Sequence, residues 1–316
     1  MKKLLLASTA LAGFAGAAAA EVTISGSAEI GIADNAFYSN PETLLFQSVD
    51  VRFNMTGETD SGLSFGATID LEDALDSARG NKQVPDDTRD DFGNFTDYTV
   101  FVSGAFGKLT MGDTDGGFDW ALDDVGMGTS LADDHTTHTG YSGNAVLDEF
   151  YNGQIARYEY SFGSFGFAAS VELDETGVDD PVVGLGVKYG TDLGGTELKF
   201  GLGYQATNFA GTDYEVIGAS ASAALASGFS AIVNYWELSV GTVDTKHTAI
   251  GLGYEVGALL VHANYGVYDF GPGPDSEGYG LAVNYDLGGG AVVQLGYGSS
   301  ELIDDETFSV GLALSF

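Results

Sequence analysis

The nine C-terminal residues, Phe308-Ser-Val-Gly-Leu-Ala-Leu-Ser-Phe316, constrain the fold more than any other stretch. Phe308, Val310, Leu312, Leu314 and Phe316 alternate with Ser309, Gly311, Ala313 and Ser315, so a strand sets every large residue on one face. A strand over a soluble core turns its large residues inward and its polar ones toward water. Here the second face holds only small residues, and the chain stops on an aromatic. An apolar outer face, a small or polar inner face and a boundary aromatic describe a strand of a transmembrane β-barrel.

The other end of the chain supplies export. Lys2 and Lys3 are followed by an apolar, small-residue stretch from Leu4 to Ala17, and Ala18-Ala19-Ala20 precedes Glu21. This is the pattern of a signal peptide, residues 1–20, with cleavage after Ala20. Beyond Glu21 no apolar run is long enough for a transmembrane helix. The mature segment, 21–316, is therefore either secreted and soluble or built into a membrane from strands, because only helices and closed barrels satisfy every backbone group in lipid.

Composition favours the barrel. The chain has 47 Gly, 20 Phe and 16 Tyr but no Cys, so an exported fold must draw its stability from strand pairing rather than disulfides. Loss of Lys2 and Lys3 leaves the mature chain two units more negative than the formal −35. That charge disfavours nucleic acid as a partner. It suits a rim bridged to lipopolysaccharide by divalent cations. The acidic residues cluster between the alternating segments rather than within them, which argues against disorder.

Seven short Gly-containing turns are expected, near Gly57–Gly62, Gly104–Gly107, Gly163–Gly166, Gly190–Gly195, Ala226–Gly228, Glu255–Gly257 and Leu287–Gly290. Eight longer connections alternate with them: Asn35–Thr43, Asp73–Gly93, Gly112–Gly153, Asp174–Pro181, Asn208–Asp213, Ser239–Thr245, Asp269–Ser276 and Gly298–Asp305. Fifteen connections give sixteen strands of roughly ten residues, an all-β antiparallel barrel with short periplasmic turns and long external loops. Face assignments agree. Val49, Val51, Phe53 and Met55 oppose Asp50 and Arg52; Tyr158, Tyr160 and Phe162 oppose Arg157 and Glu159; Val183, Leu185 and Val187 oppose Lys188. A soluble β-sandwich is the alternative, and it would leave too many Gly-lined faces.

Several segments carry a family likeness: Glu21-Val-Thr-Ile-Ser-Gly26, Phe53-Asn-Met-Thr-Gly-Glu-Thr-Asp-Ser-Gly-Leu-Ser-Phe-Gly-Ala67, Val100-Phe-Val-Ser-Gly-Ala-Phe-Gly-Lys-Leu-Thr-Met-Gly-Asp113, Tyr285-Asp-Leu-Gly-Gly-Gly-Ala291 and the terminal Phe316. With these the chain resembles the general diffusion porins of alphaproteobacteria, the Rhodobacter-like type, over its whole mature length. The resemblance implies a sixteen-stranded barrel in the outer membrane of a Gram-negative bacterium and assembly as a homotrimer. It also implies passive passage of small hydrophilic solutes and a third loop folded into the lumen.

That third loop, 112–153, is the longest connection. It carries Asp113, Asp115, Asp119, Asp123, Asp124, Asp133, Asp134, Asp148 and Glu149, with no Lys or Arg. Inside a low-dielectric wall such carboxylates bias which ions enter. Arg52, Arg157, Lys188 and Lys199 have inward parity and are expected to face them; Lys108 and His262 are further candidates. Porins of this type usually carry a wall cluster of arginines, and this chain has only two inward ones, so a preference for cations is expected. No cofactor is required, although Asp123, Asp124, Asp133 and Asp134 supply the hard oxygen ligands that calcium takes.

Other classes are a substrate-specific outer-membrane channel, a barrel enzyme and an adhesive barrel. Ser130, Ser142, His135 and His138 could be set beside the loop acids as a hydrolase triad, but no G-x-S-x-G elbow is present. The Gly, Ala and Ser residues of the inner faces are expected to leave the lumen open, against a plugged adhesive barrel.

Overall fold

The computed structural model describes residues 20–34, 43–71, 97–126, 130–131, 138, 140–141, 143–151, 155–174, 176–301 and 305–316. The expected leader, apart from Ala20, and the connections 35–42 and 72–96 lie outside them. Sixteen strands run in order: β1 (Glu21–Asp34), β2 (Thr43–Glu58), β3 (Ser64–Leu71), β4 (Asp97–Gly104), β5 (Gly107–Gly112), β6 (Ile155–Phe162), β7 (Phe165–Glu172) and β8 (Val182–Asp192). They continue as β9 (Thr196–Phe209), β10 (Thr212–Leu225), β11 (Phe229–Val240), β12 (Val243–Val256), β13 (Leu259–Asp269), β14 (Ser276–Gly288), β15 (Ala291–Ser300) and β16 (Asp305–Ser315). Each pairs antiparallel with its sequence neighbours, and β1 pairs with β16 to close the barrel, leaving no edge. Phe316 completes that seam: its N–H donates to the Gly26 carbonyl at 2.8 Å and its own carbonyl accepts from the Gly26 N–H.

Alternation sorts the side chains as lipid and lumen require. On β9, Phe200 and Leu202 point out and are exposed, whereas Gln205 points in and is 1 % exposed. On β13, Val261 and Tyr265 point out, and His262 and Asn264 are buried on the inner face. On β16 the inward Ser309 is 2 % exposed, and Phe316, just past its end, is exposed. Polar inward residues are buried here because chain folded inside the barrel covers them.

All seven tight turns fall where the sequence places them, at 59–63, 105–106, 163–164, 193–195, 226–228, 257–258 and 289–290. Two of the eight expected long connections are instead two-residue hairpins. The ladder runs up to Phe209↔Thr212 and to Val240↔Val243. Ala210 (φ 51°) and Gly211 (φ 81°) both take the left-handed conformation that a tight hairpin needs. The polar residues read as loop bond across it: Asn208 Nδ2 donates to Asp213 Oδ1 at 2.6 Å, and Ser239 Oγ to Asp244 Oδ1 at 2.8 Å. Strands β9, β10 and β12 accordingly reach 14 residues, beyond the ten expected.

The connection after β5 spans 113–154, since Gly112 ends β5 and Ile155 begins β6. It contains the short helix α1 (Gly117–Ala121), and its described residues lie against the inner face of the barrel. Its track is cut by glycine. A Cβ on Gly186 would strike the Gly117 carbonyl, one on Gly201 the Ala121 carbonyl, and one on Gly266 the Gly140 carbonyl. The small inner faces thus do not simply open the lumen, as expected from sequence. Part of that space is filled by the third loop.

Candidate functional site

The outgoing limb of the loop crosses the inner wall strand by strand. The Gly117 N–H donates to Ser170 Oγ of β7 at 2.7 Å, and the Asp123 N–H to Ser220 Oγ of β10 at 2.8 Å. The Val125 carbonyl meets His262 of β13, and Leu131 is fully buried against Gly31 of β1 and Gly311 of β16. The return limb retraces this path. Gly140 meets His247 of β12, Asn144 meets Asn234 of β11 at 2.9 Å, and the Phe150 and Tyr151 N–H groups donate to Glu172 of β7. Phe118, Leu122 and Leu147 of the loop pack with Val182, Val216, Trp236 and Tyr268 of the wall as one apolar cluster. Burial of that cluster and these side-chain caps fix a segment with little regular structure of its own.

The acids divide by role. Asp148 ties the two limbs together: it accepts the Gly116 N–H at 2.6 Å and the Gln205 amide. Burial raises it to about 6, against the pull of those two bonds. Asp119 on α1 is raised to about 8, by burial first and then by the Asp115, Asp124 and Asp148 carboxylates, with Arg157 opposing. Asp123 accepts Ser222 Oγ at 2.7 Å. Asp124 is exposed on the loop's free surface, yet the surrounding protein still desolvates it and raises its value; the Tyr141 hydroxyl (2.7 Å) and Asn144 amide (2.6 Å) hold its carboxylate and oppose that rise. Asp123 and Asp124 border a recess of about 310 Å³ with Glu197, Lys199 and Ser222. Asp115 is exposed at the loop root, and Asp113 and Glu149 lie where the loop leaves and re-enters the wall. Asp133, Asp134 and His135 lie outside the described residues.

The cations are placed differently from the expected facing arrangement. Arg157 donates through Nη1 to the Asp115 carbonyl at 2.5 Å and sits 3.4 Å from Glu159 Oε2, against the loop root. Lys188 donates to the Trp120 carbonyl at 3.3 Å, with its ammonium 3.5 Å from the centre of the indole ring. Lys199 lies 3.4 Å from Glu197 on its own strand, and Lys108 3.8 Å from Glu159 beside the 105–106 turn. Only Arg52 stands on the far wall, and it is paired in register with Asp70 of β3 through Nε and Nη2. Glu29 and Asp50 share the inward parity of that wall. Sequence reading gave them no role, although their parity was visible.

Among the described residues no group of three acids or histidines is arranged for a metal ion. Asp123 and Asp124 are turned instead to Ser222 and to Tyr141 and Asn144. Of the residues considered for a hydrolase, Ser142 and His135 lie outside the described residues, Ser130 is fully buried, and both ring nitrogens of His138 are engaged, by Asn264 and by the Gly140 N–H. The anchoring residues Ser170, Gln205, Ser220, Asn234, His247 and Asn264 were not singled out from sequence. Their one signal was polar character on the inward parity of strands β7 to β13.

A closed sixteen-stranded barrel with a long loop bound along its inner wall is the architecture of a channel. The chain matches the Gram-negative porin family over residues 7–305 and belongs to that family. It is 29% identical to a porin of Rhodobacter capsulatus, over 94% of this chain and 100% of that one. Among solved structures, a porin refined at 1.8 Å superposes with a TM-score of 0.73 at 25% identity, covering 94% of this chain and all of the other. A mutant of the Rh. blastica porin superposes at 0.67 with 17% identity, over 93% of this chain and all of the other, a likeness of fold. The protein is an outer-membrane β-barrel porin, and its family and structural neighbours are channels rather than enzymes.

Proposed function

We propose that this porin passes ions and small hydrophilic solutes by passive diffusion, with a preference for cations set by the third loop. One observation carries the reading: among the described residues the cations of the inner wall are each engaged by a neighbouring group, whereas the Asp124 carboxylate is exposed on the loop with only the uncharged Tyr141 and Asn144 as hydrogen-bond partners. Arg52, Arg157 and Lys199 have carboxylate partners and Lys188 lies on Trp120, so the potential met by a permeating ion is dominated by carboxylates. Diffusion down a gradient needs no cofactor. Asp113, Asp123, Asp148 and Glu149 contribute through the loop's summed charge at pH 7, Asp119 adds to it as pH rises through about 8, and calcium at Asp123 and Asp124 would reduce it.

A homotrimer is part of the reading. The outward Phe65 of β3, Val100 of β4 and Met111 of β5 are apolar and exposed, as contact with a second copy requires. Elsewhere on the outward face, Tyr265 donates to Glu277 and Tyr235 to Glu237 at 2.8 Å, where divalent cations would bridge the acids to lipopolysaccharide.

Liposome swelling tests the solute side of this reading. Vesicles bearing the protein are expected to admit arginine faster than neutral sugars of similar size, and those faster than dicarboxylates. Equal rates for all three would remove the charge preference, and no swelling with any would remove the diffusion pore.

A further inference from the structure

Three of the four histidines join the third loop to the wall. His247 of β12 donates from Nε2 to the Gly140 carbonyl at 3.1 Å, and His262 of β13 from Nε2 to the Val125 carbonyl at 3.0 Å. His138 of the loop accepts the Gly140 N–H on Nδ1 at 3.1 Å, which leaves Nε2 to donate to Asn264 Oδ1 at 3.2 Å. Carbonyl oxygens only accept, so Nε2 carries a proton on His247 and His262, and on His138 the accepting Nδ1 makes the ring the neutral Nε2–H tautomer. The Nδ1 atoms of His247 and His262 are buried with no hydrogen-bond partner among the described residues. Among the described residues a second proton on any of the three rings therefore has no acceptor, and on His138 it also breaks the Gly140 bond.

Among the described residues no carboxylate touches any of the three rings. His247 is enclosed by Trp236 of β11, Tyr268 of β13 and Tyr141 of the loop, at ring-centre distances of 5.1, 4.5 and 5.8 Å, with His138 beyond. The cross-strand neighbours of His262 are Gly253 of β12 and Ala282 of β14. His138 faces Asn264 of β13, Gly278 of β14 and Tyr141. Asp124 meets this cluster through the outer side of the Tyr141 hydroxyl.

We propose that His138, His247 and His262 are positioning residues that clamp the third loop in its conducting place, and that acid releases the loop by protonating them. The proposal rests on the porin reading and adds to it a setting of the pore by protons. Burial pushes His138 from 6.5 down to about 4, with the Asn264 bond opposing. The neutral ring belongs to the clamped loop and the protonated ring to the released one. The clamp is thus fully formed above about 6.5 and loosens as pH falls toward 4, since each unit between the two values shifts the equilibrium tenfold.

The test compares the full-length mature protein with a triple variant, His138→Gln, His247→Gln and His262→Gln, in planar bilayers from pH 7 to pH 4. Glutamine keeps an N–H donor of similar reach and does not titrate. Relative to its own value at pH 7, wild-type conductance at pH 4 is expected to fall about twofold or more further than that of the variant, as the freed loop enters the lumen. Carboxylates such as Asp148 titrate in both chains, so their contribution cancels in the comparison. An equal acid response in both chains would overturn the proposal. Because the chain has no Cys, a spin label on Ala145→Cys reports the loop alone, including in an otherwise wild-type chain should the triple variant not fold. The label is expected to gain mobility at pH 4, and a label that stays immobile would also overturn the clamp. Absence of conductance at pH 7 from a folded barrel would count against the porin reading, and the label would still decide the clamp.

Discussion

At the scale of single residues, Asp119 carries a consequence for pH. Its carboxyl, at 3.8 in water, is raised to about 8 in the packed loop. The neutral form therefore favours packing. The stabilisation is complete below about 4 and is lost as pH rises through 8, where the carboxylate forms inside the barrel. Cation preference is expected to increase between pH 7 and pH 9 as this charge appears, and Asp119→Asn is expected to abolish the increase. Reversal potentials at the two pH values check this, and an unchanged rise in the variant would assign it elsewhere. The identity of the loop acids was legible from sequence; their division was not. Asp148 acting as a tie between limbs and Asp124 held by Tyr141 and Asn144 depend on contacts between residues 17 to 57 positions apart, which no local pattern encodes.

At the scale of elements, the third loop is held by close backbone approach to the wall. Gly186→Val would drive a side chain into the Gly117 carbonyl and Ala121. Overpacking of that kind costs about 1–3 kcal/mol, here charged to loop attachment because the β8 ladder is untouched. Such a variant is expected to keep the barrel's thermal transition while its loop becomes open to proteolysis; a lowered barrel transition with a protected loop would contradict this. The sequence announced all seven tight turns because glycine at the turn is a local requirement. It misplaced the β9–β10 and β11–β12 hairpins because Asn208, Asp213, Ser239 and Asp244 look like loop residues when read singly and act as cross-strand partners when paired. The inner glycines were likewise visible, but their use as a bed for the loop required knowing where the loop runs.

At the scale of the whole molecule, closure, strand number and face alternation were all readable, since each follows from period-two patterning and turn spacing. The distribution of charge was only half readable. Parity assigns a residue to the lumen but not to a partner, so Arg157 and Lys188 read as facing the acids although they lie against the loop that bears them. The outer face of β3 to β5 gives the assembly prediction. Val100→Lys, at an exposed position there, is expected to convert trimers to monomers in mild detergent without unfolding the barrel, as judged by native mass and β-sheet circular dichroism. An intact trimer would place the contact elsewhere. The most direct test of the account is the reversal potential of the purified wild-type protein in a planar bilayer under a tenfold potassium chloride gradient at pH 7. A potential of the sign set by potassium is predicted, from channels closing in threes; a potential of the sign set by chloride would contradict a lumen governed by the loop's carboxylates.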